Sequence, residues 1–183
     1  MDKNYETRHI FMALGICIFI YAPIFLSFMP QTVANILHHH DGAWYVFAPR
    51  ENFIAFGVGF ILLFVSSMIL FLMDIKKVSV ALSFIILFGC FGCFVTAAKS
   101  HKTLADDAIS FSPILAFREY SYSWNDVDKV IYLYDEEKGF NEFEFLFTDG
   151  NKMTLFNDTY FRSIRYKFDQ KITEMNIITE SRE

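Results

Sequence analysis

Two groups of residues have the types and spacing for chemistry. His38-His39-His40-Asp41 places three imidazoles and a carboxylate in four consecutive positions, with Glu51 ten residues on. Such side chains hold Zn²⁺ or Cu²⁺ when they converge on one point. Successive side chains cannot all turn one way on a regular element, however, and no second ligand motif occurs elsewhere. The segment therefore reads as a polar loop, and no metal is expected. Cys90-Phe91-Gly92-Cys93 is the second group, a C-x-x-C pair. Membrane thiol oxidoreductases use such a pair at a membrane face, beside a second reactive pair. Here only Cys17 remains, and the pair lies inside an apolar run, unlike the exposed electropositive settings that make thiols reactive. Small-residue packing is the simpler reading. No Gly-rich phosphate loop, H-E-x-x-H or nucleophile elbow occurs, so no catalytic residue and no cofactor is expected.

The elements that would carry these residues are of two kinds. Apolar residues make up 54% of the 183-residue chain and the mean hydropathy is +0.29, above the roughly 45–50% apolar content of a soluble domain. The excess lies in the first hundred residues. Residues 10–29, 53–73 and 78–98 contain no charged side chain. A bilayer core about 30 Å thick is crossed by about 20 helical residues, and an unpaired backbone is costly there, so three transmembrane helices are expected. The first run exceeds the 7–15 apolar residues of a signal peptide, which argues against cleavage near Thr32-Val33-Ala34. Pro23 should kink that helix rather than end it. Only Asp74, Ile75, Lys76 and Lys77 separate the second and third runs, so these form an antiparallel hairpin. Gly89 and Cys93, one turn apart, and Gly57 are the candidates for close helix packing within it. The spans hold no ionisable residue, which counts against an ion or proton path.

Lys/Arg placement is close to a tie and, taken alone, faintly favours the soluble domain outside. Lys3, Arg8, Lys76 and Lys77 stand on one side, and Arg50, Lys99 and Lys102 on the other. Trp44, Tyr45 and Phe47, between the first two spans, suit an aromatic belt at the headgroup boundary.

Beyond residue 104 the pattern turns from continuous to alternating. Phe143, Phe145 and Phe147 alternate with Glu142, Glu144 and Thr148, and Asp149-Gly150 supplies a tight hairpin turn. Five strands are expected, near 108–112, 115–123, 128–135, 141–148 and 152–156. A helix capped by Asn157 or Asp158 follows, with the apolar stripe Phe161, Ile164, Phe168, Ile172 and Met175. Arg162, Arg165, Lys167 and Lys171 lie mostly off that stripe, as a solvated face does. Residues 105–183 hold 9 Lys/Arg against 16 Asp/Glu, an acidic balance that argues against nucleic acid as a partner.

Thr103-Leu104-Ala105-Asp106-Asp107-Ala108-Ile109, then Tyr122-Ser123-Trp124-Asn125-Asp126-Val127, then Phe147-Thr148-Asp149-Gly150, resemble the bacterial pleckstrin-homology-like domains of small membrane proteins. The resemblance covers roughly residues 102–175, and Ala108 stands where that family often has Gly. It implies a membrane-tethered β domain closed by a helix, usually cytoplasmic and without known enzyme chemistry. Trp124 should pack in the core with its N–H paired, and Asp126 should close the following turn. Five strands are too few for a seven-stranded barrel, so a small antiparallel sheet or partial barrel is expected. The expected organisation is thus a three-helix membrane region over 1–101 and a soluble α+β domain over 102–183. Its partners would be the lipid bilayer and another membrane or cytoplasmic protein, engaged for interaction or assembly at the membrane surface. The alternatives are a membrane thiol oxidoreductase or metal-dependent enzyme using the two groups above, and a small accessory subunit of a transporter complex.

Overall fold

The structure is a computed structural model that describes residues 7–116, 118–135 and 140–182; Lys3 and Phe117 lie outside the described residues. The chain divides into two compact units, one helical and one mostly β.

The helical unit comprises the chain up to His38, Phe47–His101 and Pro113–Ala116. Its helices are α1 (Thr7–His38), α2 (Arg50–Leu72) and α3 (Lys77–Lys99), all long and apolar enough to cross a membrane. Their outward faces are apolar: Phe19, Ile54, Ile85 and Phe88 are largely exposed, Phe88 by 80%. Apolar surface of this extent marks contact with a membrane or with other protein. α1 continues through Pro23 and Pro30 and outlasts the expected span by nine residues at its C-terminal end. The Ser27 hydroxyl donates to the Pro23 carbonyl at 2.9 Å.

Helices α2 and α3 are joined through small polar residues. The Ser83 hydroxyl donates to the Ser66 carbonyl at 3.1 Å, and the Ser66 hydroxyl to the Ser83 carbonyl at 3.4 Å. The Cys90 thiol donates to the Gly59 carbonyl at 3.3 Å. A Cβ on Gly59 would collide with the Phe94 ring, so the missing side chain seats that ring. The close approach therefore uses Gly59, Ser66, Ser83 and Cys90. A Cβ on Gly89 or Gly57 would meet only ordinary van der Waals neighbours, so the expectation for those two is corrected. Both ends of α1 are tied. Arg8 reaches Asp74, in the α2–α3 turn, at 2.6 Å, and the His38 ring donates from Nε2 to the Ala98 carbonyl at 2.9 Å.

The β unit comprises His39–Val46, Lys102–Ser112 and the chain from 117 onward. One sheet has the order β1 (Ala43–Phe47), β2 (His101–Ala105), β3 (Ala108–Ser112), β4 (Tyr120–Ser123). The 3-10 turn Trp124–Asp126 leads into the second sheet. That sheet contains β5 (Val127–Asp135), β6 (Phe140–Phe147), β7 (Lys152–Phe156) and β8 (Ile178–Arg182), in the order β7-β6-β5-β8. Strands β5, β6 and β7 are antiparallel, with Val130 opposite Phe145 and Phe145 opposite Met153. β8 returns parallel to β5.

Helix α4 (Thr159–Glu174) begins at Asp158, whose carboxylate accepts from the Phe161 N–H at 2.7 Å. It buries Phe161, Phe168 and Ile172 against Phe143 and Phe145; Ile164 and Met175, also on the expected stripe, are only half-buried. The count of five strands is thus corrected to eight among the described residues, because β1, β2 and β8 were not anticipated. β1 has a further consequence: His39–Val46, between α1 and α2, belongs to the β unit. Of the three residues expected at a headgroup belt, Trp44 and Tyr45 lie in the β unit and Phe47 in the helical unit. Tyr45 is 1% exposed and meets Tyr160 and Phe161 at ring separations of 5.1 and 5.7 Å.

Candidate functional site

The histidine segment does not converge. His38 ends α1 and stacks face to face on the buried His101 at 3.6 Å, while His39, His40 and Asp41 are exposed at the approach to β1. His101 donates from Nδ1 to the Lys99 carbonyl at 3.0 Å, so the two stacked rings take up the last carbonyls of α3. Among the described residues no group of three His, Cys, Asp or Glu side chains could hold a metal ion. Cys90 is buried, Cys93 half-buried and Cys17 exposed, all as free thiols.

The residues read as structural motifs do come together, all within the β unit. The Trp124 indole donates to the Ala105 carbonyl at 2.9 Å and is buried. Its ring lies parallel to Trp44 at 6.0 Å and edge-on to Phe145 at 6.5 Å. Asp126 accepts from the Ser123 N–H at 2.9 Å while the Ser123 hydroxyl accepts from the Asn125 N–H, a reciprocal cap on the 3-10 turn. The Asp126 carbonyl accepts from the Thr148 N–H, which joins this turn to the β6–β7 turn.

Asp149 and Gly150 form that second turn, with Gly150 at φ +85°. Asp149 accepts from the Asn151 N–H at 2.9 Å and from the Tyr122 hydroxyl at 2.6 Å. The Asn151 amide in turn donates to the Tyr122 hydroxyl at 2.6 Å. The Tyr122 hydrogen bond holds the Asp149 carboxyl below the usual carboxylate range, and desolvation, followed by that bond, pushes the Tyr122 hydroxyl up. Burial likewise raises the Tyr45 hydroxyl. The Tyr122 and Trp44 roles went unread. Tyr122 stood in an expected strand, but nothing local to it points to Asp149, 27 residues away.

The basic residues of α4 are partly neutralised in place. Arg165 pairs with Asp169 at 2.9 Å and lies 4.8 Å over the Phe143 ring, and Lys171 pairs with Glu174 at 3.2 Å. A cleft of about 400 Å³ opens between α4 and strands β5 and β8. Its floor is Val130, Phe143, Phe168 and Ile172; Thr173, Thr179 and Ser181 stand among its polar walls. The cleft thus has an apolar floor with hydroxyl and charged walls.

No family model matches this chain, and no curated protein and no solved structure matches it.

Proposed function

We propose that this chain is a membrane-anchored, non-enzymatic interaction protein, with three spans carrying a pleckstrin-homology-like module. The observation that carries the reading is the order of the β unit. Four strands of one sheet are followed by three antiparallel strands of another and then by a closing helix. Here the first strand comes from between α1 and α2 rather than from the chain next to β2. The motif residues that suggest the family act as framework in this unit: Trp124 ties its turn to β2, and Asp126 and Asp149 each close a turn. Outward apolar side chains on all three helices support the spans. The module would work by tethering, since a domain held at the membrane meets a membrane partner at high effective concentration.

The test uses the full-length chain, cross-linked in its native membrane and purified. A stoichiometric partner that is lost when Thr173→Arg and Ser181→Arg fill the α4–β8 cleft supports the reading. A chain that purifies alone under all cross-linking conditions removes it. The enzyme alternatives have their own check: replacing Cys90 and Cys93, or His39 and His40, would abolish a function that depends on them.

A further inference from the structure

We propose that the end of the helical unit formed by Arg8, Lys76 and Lys77 binds the headgroup of an anionic phospholipid. The proposal rests on reading the three helices as spans. Arg8 lies in the first turn of α1, and Lys76 and Lys77 open α3, so the Arg8–Asp74 pair at 2.6 Å gathers all three cations at one end. An open cleft of about 440 Å³ lies there, lined by Thr7, Arg8, Asp74 and Ile75.

The charge at this end is uncompensated among the described residues. Asp74, the carboxylate of the turn, is taken by Arg8, while Lys76 and Lys77 are exposed with no carboxylate partner. The residues next to them are apolar and outward-facing: Ile10, Leu72 and Val78 are each more than 60% exposed. The cations therefore stand where the apolar surface ends, which is the height of a phospholipid phosphate. Basic side chains between helix ends at this height select anionic headgroups. Asp2, Lys3 and Glu6 lie outside the described residues, so the test leaves them unchanged.

The full-length chain is reconstituted in nanodiscs of equal parts phosphatidylcholine and phosphatidylglycerol. Lipids retained after release are counted by native mass spectrometry. The expected result is a preference for phosphatidylglycerol that falls by roughly 25-fold in the K76Q/K77Q variant, about fivefold for each lysine. K76R/K77R, which keeps the charge, should keep the preference. Equal retention of both lipids by the unmodified chain overturns the proposal. So does a preference that survives in K76Q/K77Q, since it then belongs to Arg50 and Lys99 at the other end of α2 and α3. Full competition by soluble glycerol phosphate would make this a free-phosphate site and also overturns it. A chain that never enters nanodiscs removes the span reading itself, and this proposal with it.

Discussion

Tyr122, on the last strand of the first sheet, donates its hydroxyl proton to Asp149, in a turn of the second sheet, at 2.6 Å. One side chain thus joins two sheets whose strands are otherwise separately paired. The bond is charge-assisted only where tyrosine keeps its proton and aspartate has lost its own. The Asp149 carboxyl titrates lower in the folded chain than in the unfolded one, where about 3.9 is usual. Its contribution is therefore complete above that unfolded value and is lost as pH falls through the folded one. Asp149→Asn should lower the melting temperature at neutral pH, and the difference from the parent should shrink on acidification below about pH 4. A difference that stays constant down to pH 2 would contradict this.

Removing the Trp124 indole N–H leaves a buried carbonyl short of a donor. Trp124→Phe should destabilise the β unit by about 1–3 kcal/mol from the lost hydrogen bond, with a further cost for the smaller ring. Urea titration of the full chain, followed by near-ultraviolet circular dichroism, measures it.

The β unit is not contained in residues 102–183. A fragment with those bounds lacks β1 and with it the buried Tyr45 and Val46, each worth roughly 1.5–3 kcal/mol when fully buried. It should remain unfolded by amide dispersion in nuclear magnetic resonance. Joining 39–47 to its N-terminus through a flexible linker should restore a folded spectrum. A folded fragment without that addition would show β1 to be dispensable.

Packing of α2 on α3 leaves no room at Gly59. Gly59→Val should push the Phe94 ring away and cost about 1–3 kcal/mol of stability in detergent. Gly89→Ala, with only a Leu62 methyl at 3.9 Å from its new Cβ, should change little. Similar melting temperatures for the two variants would contradict the assigned contact.

Three spans place successive connections on opposite sides of a membrane. Reporters fused after Ile75 and after Thr103 should therefore give opposite signals, and a reporter at the N-terminus should agree with the one after Ile75. Agreement between the Ile75 and Thr103 fusions would remove one span.

Charge exclusion made the three long helices legible, because nothing else keeps Asp, Glu, Lys and Arg out of twenty residues three times over. Alternation did the same for β5 and β6, where Phe143, Phe145 and Phe147 mark one face, and the Asp158 cap and the Phe161, Phe168 and Ile172 spacing marked α4. What stayed hidden depends on partners distant in sequence. Ala43–Phe47 is a five-residue aromatic run between two apolar helices, and only its pairing with His101–Ala105 makes it a strand. Its neighbours in sequence favoured a headgroup belt instead. β2 follows α3 after a single residue, and β8 is short, polar and exposed on both faces, so neither announces itself. The polar contacts showed the same limit: Asp126 was read from its own turn, whereas the link from Tyr122 to Asp149 spans two sheets.

The two ties on α1 set lengths that do not match. Thirty residues separate Arg8 from His38, a contour of about 45 Å, while the 21 residues from Lys77 to Ala98 on α3 span about 32 Å. The difference is shared between the Arg8 and His38 side chains, the turn at 74–76 and any lean of α1. In a bilayer this makes α1 a strut with length to spare, able to steepen in a thick membrane and recline in a thin one while α2 and α3 keep their seam. Hydrophobic mismatch would then fall on α1, with Pro23 and Pro30 as the places where its bend is cheapest.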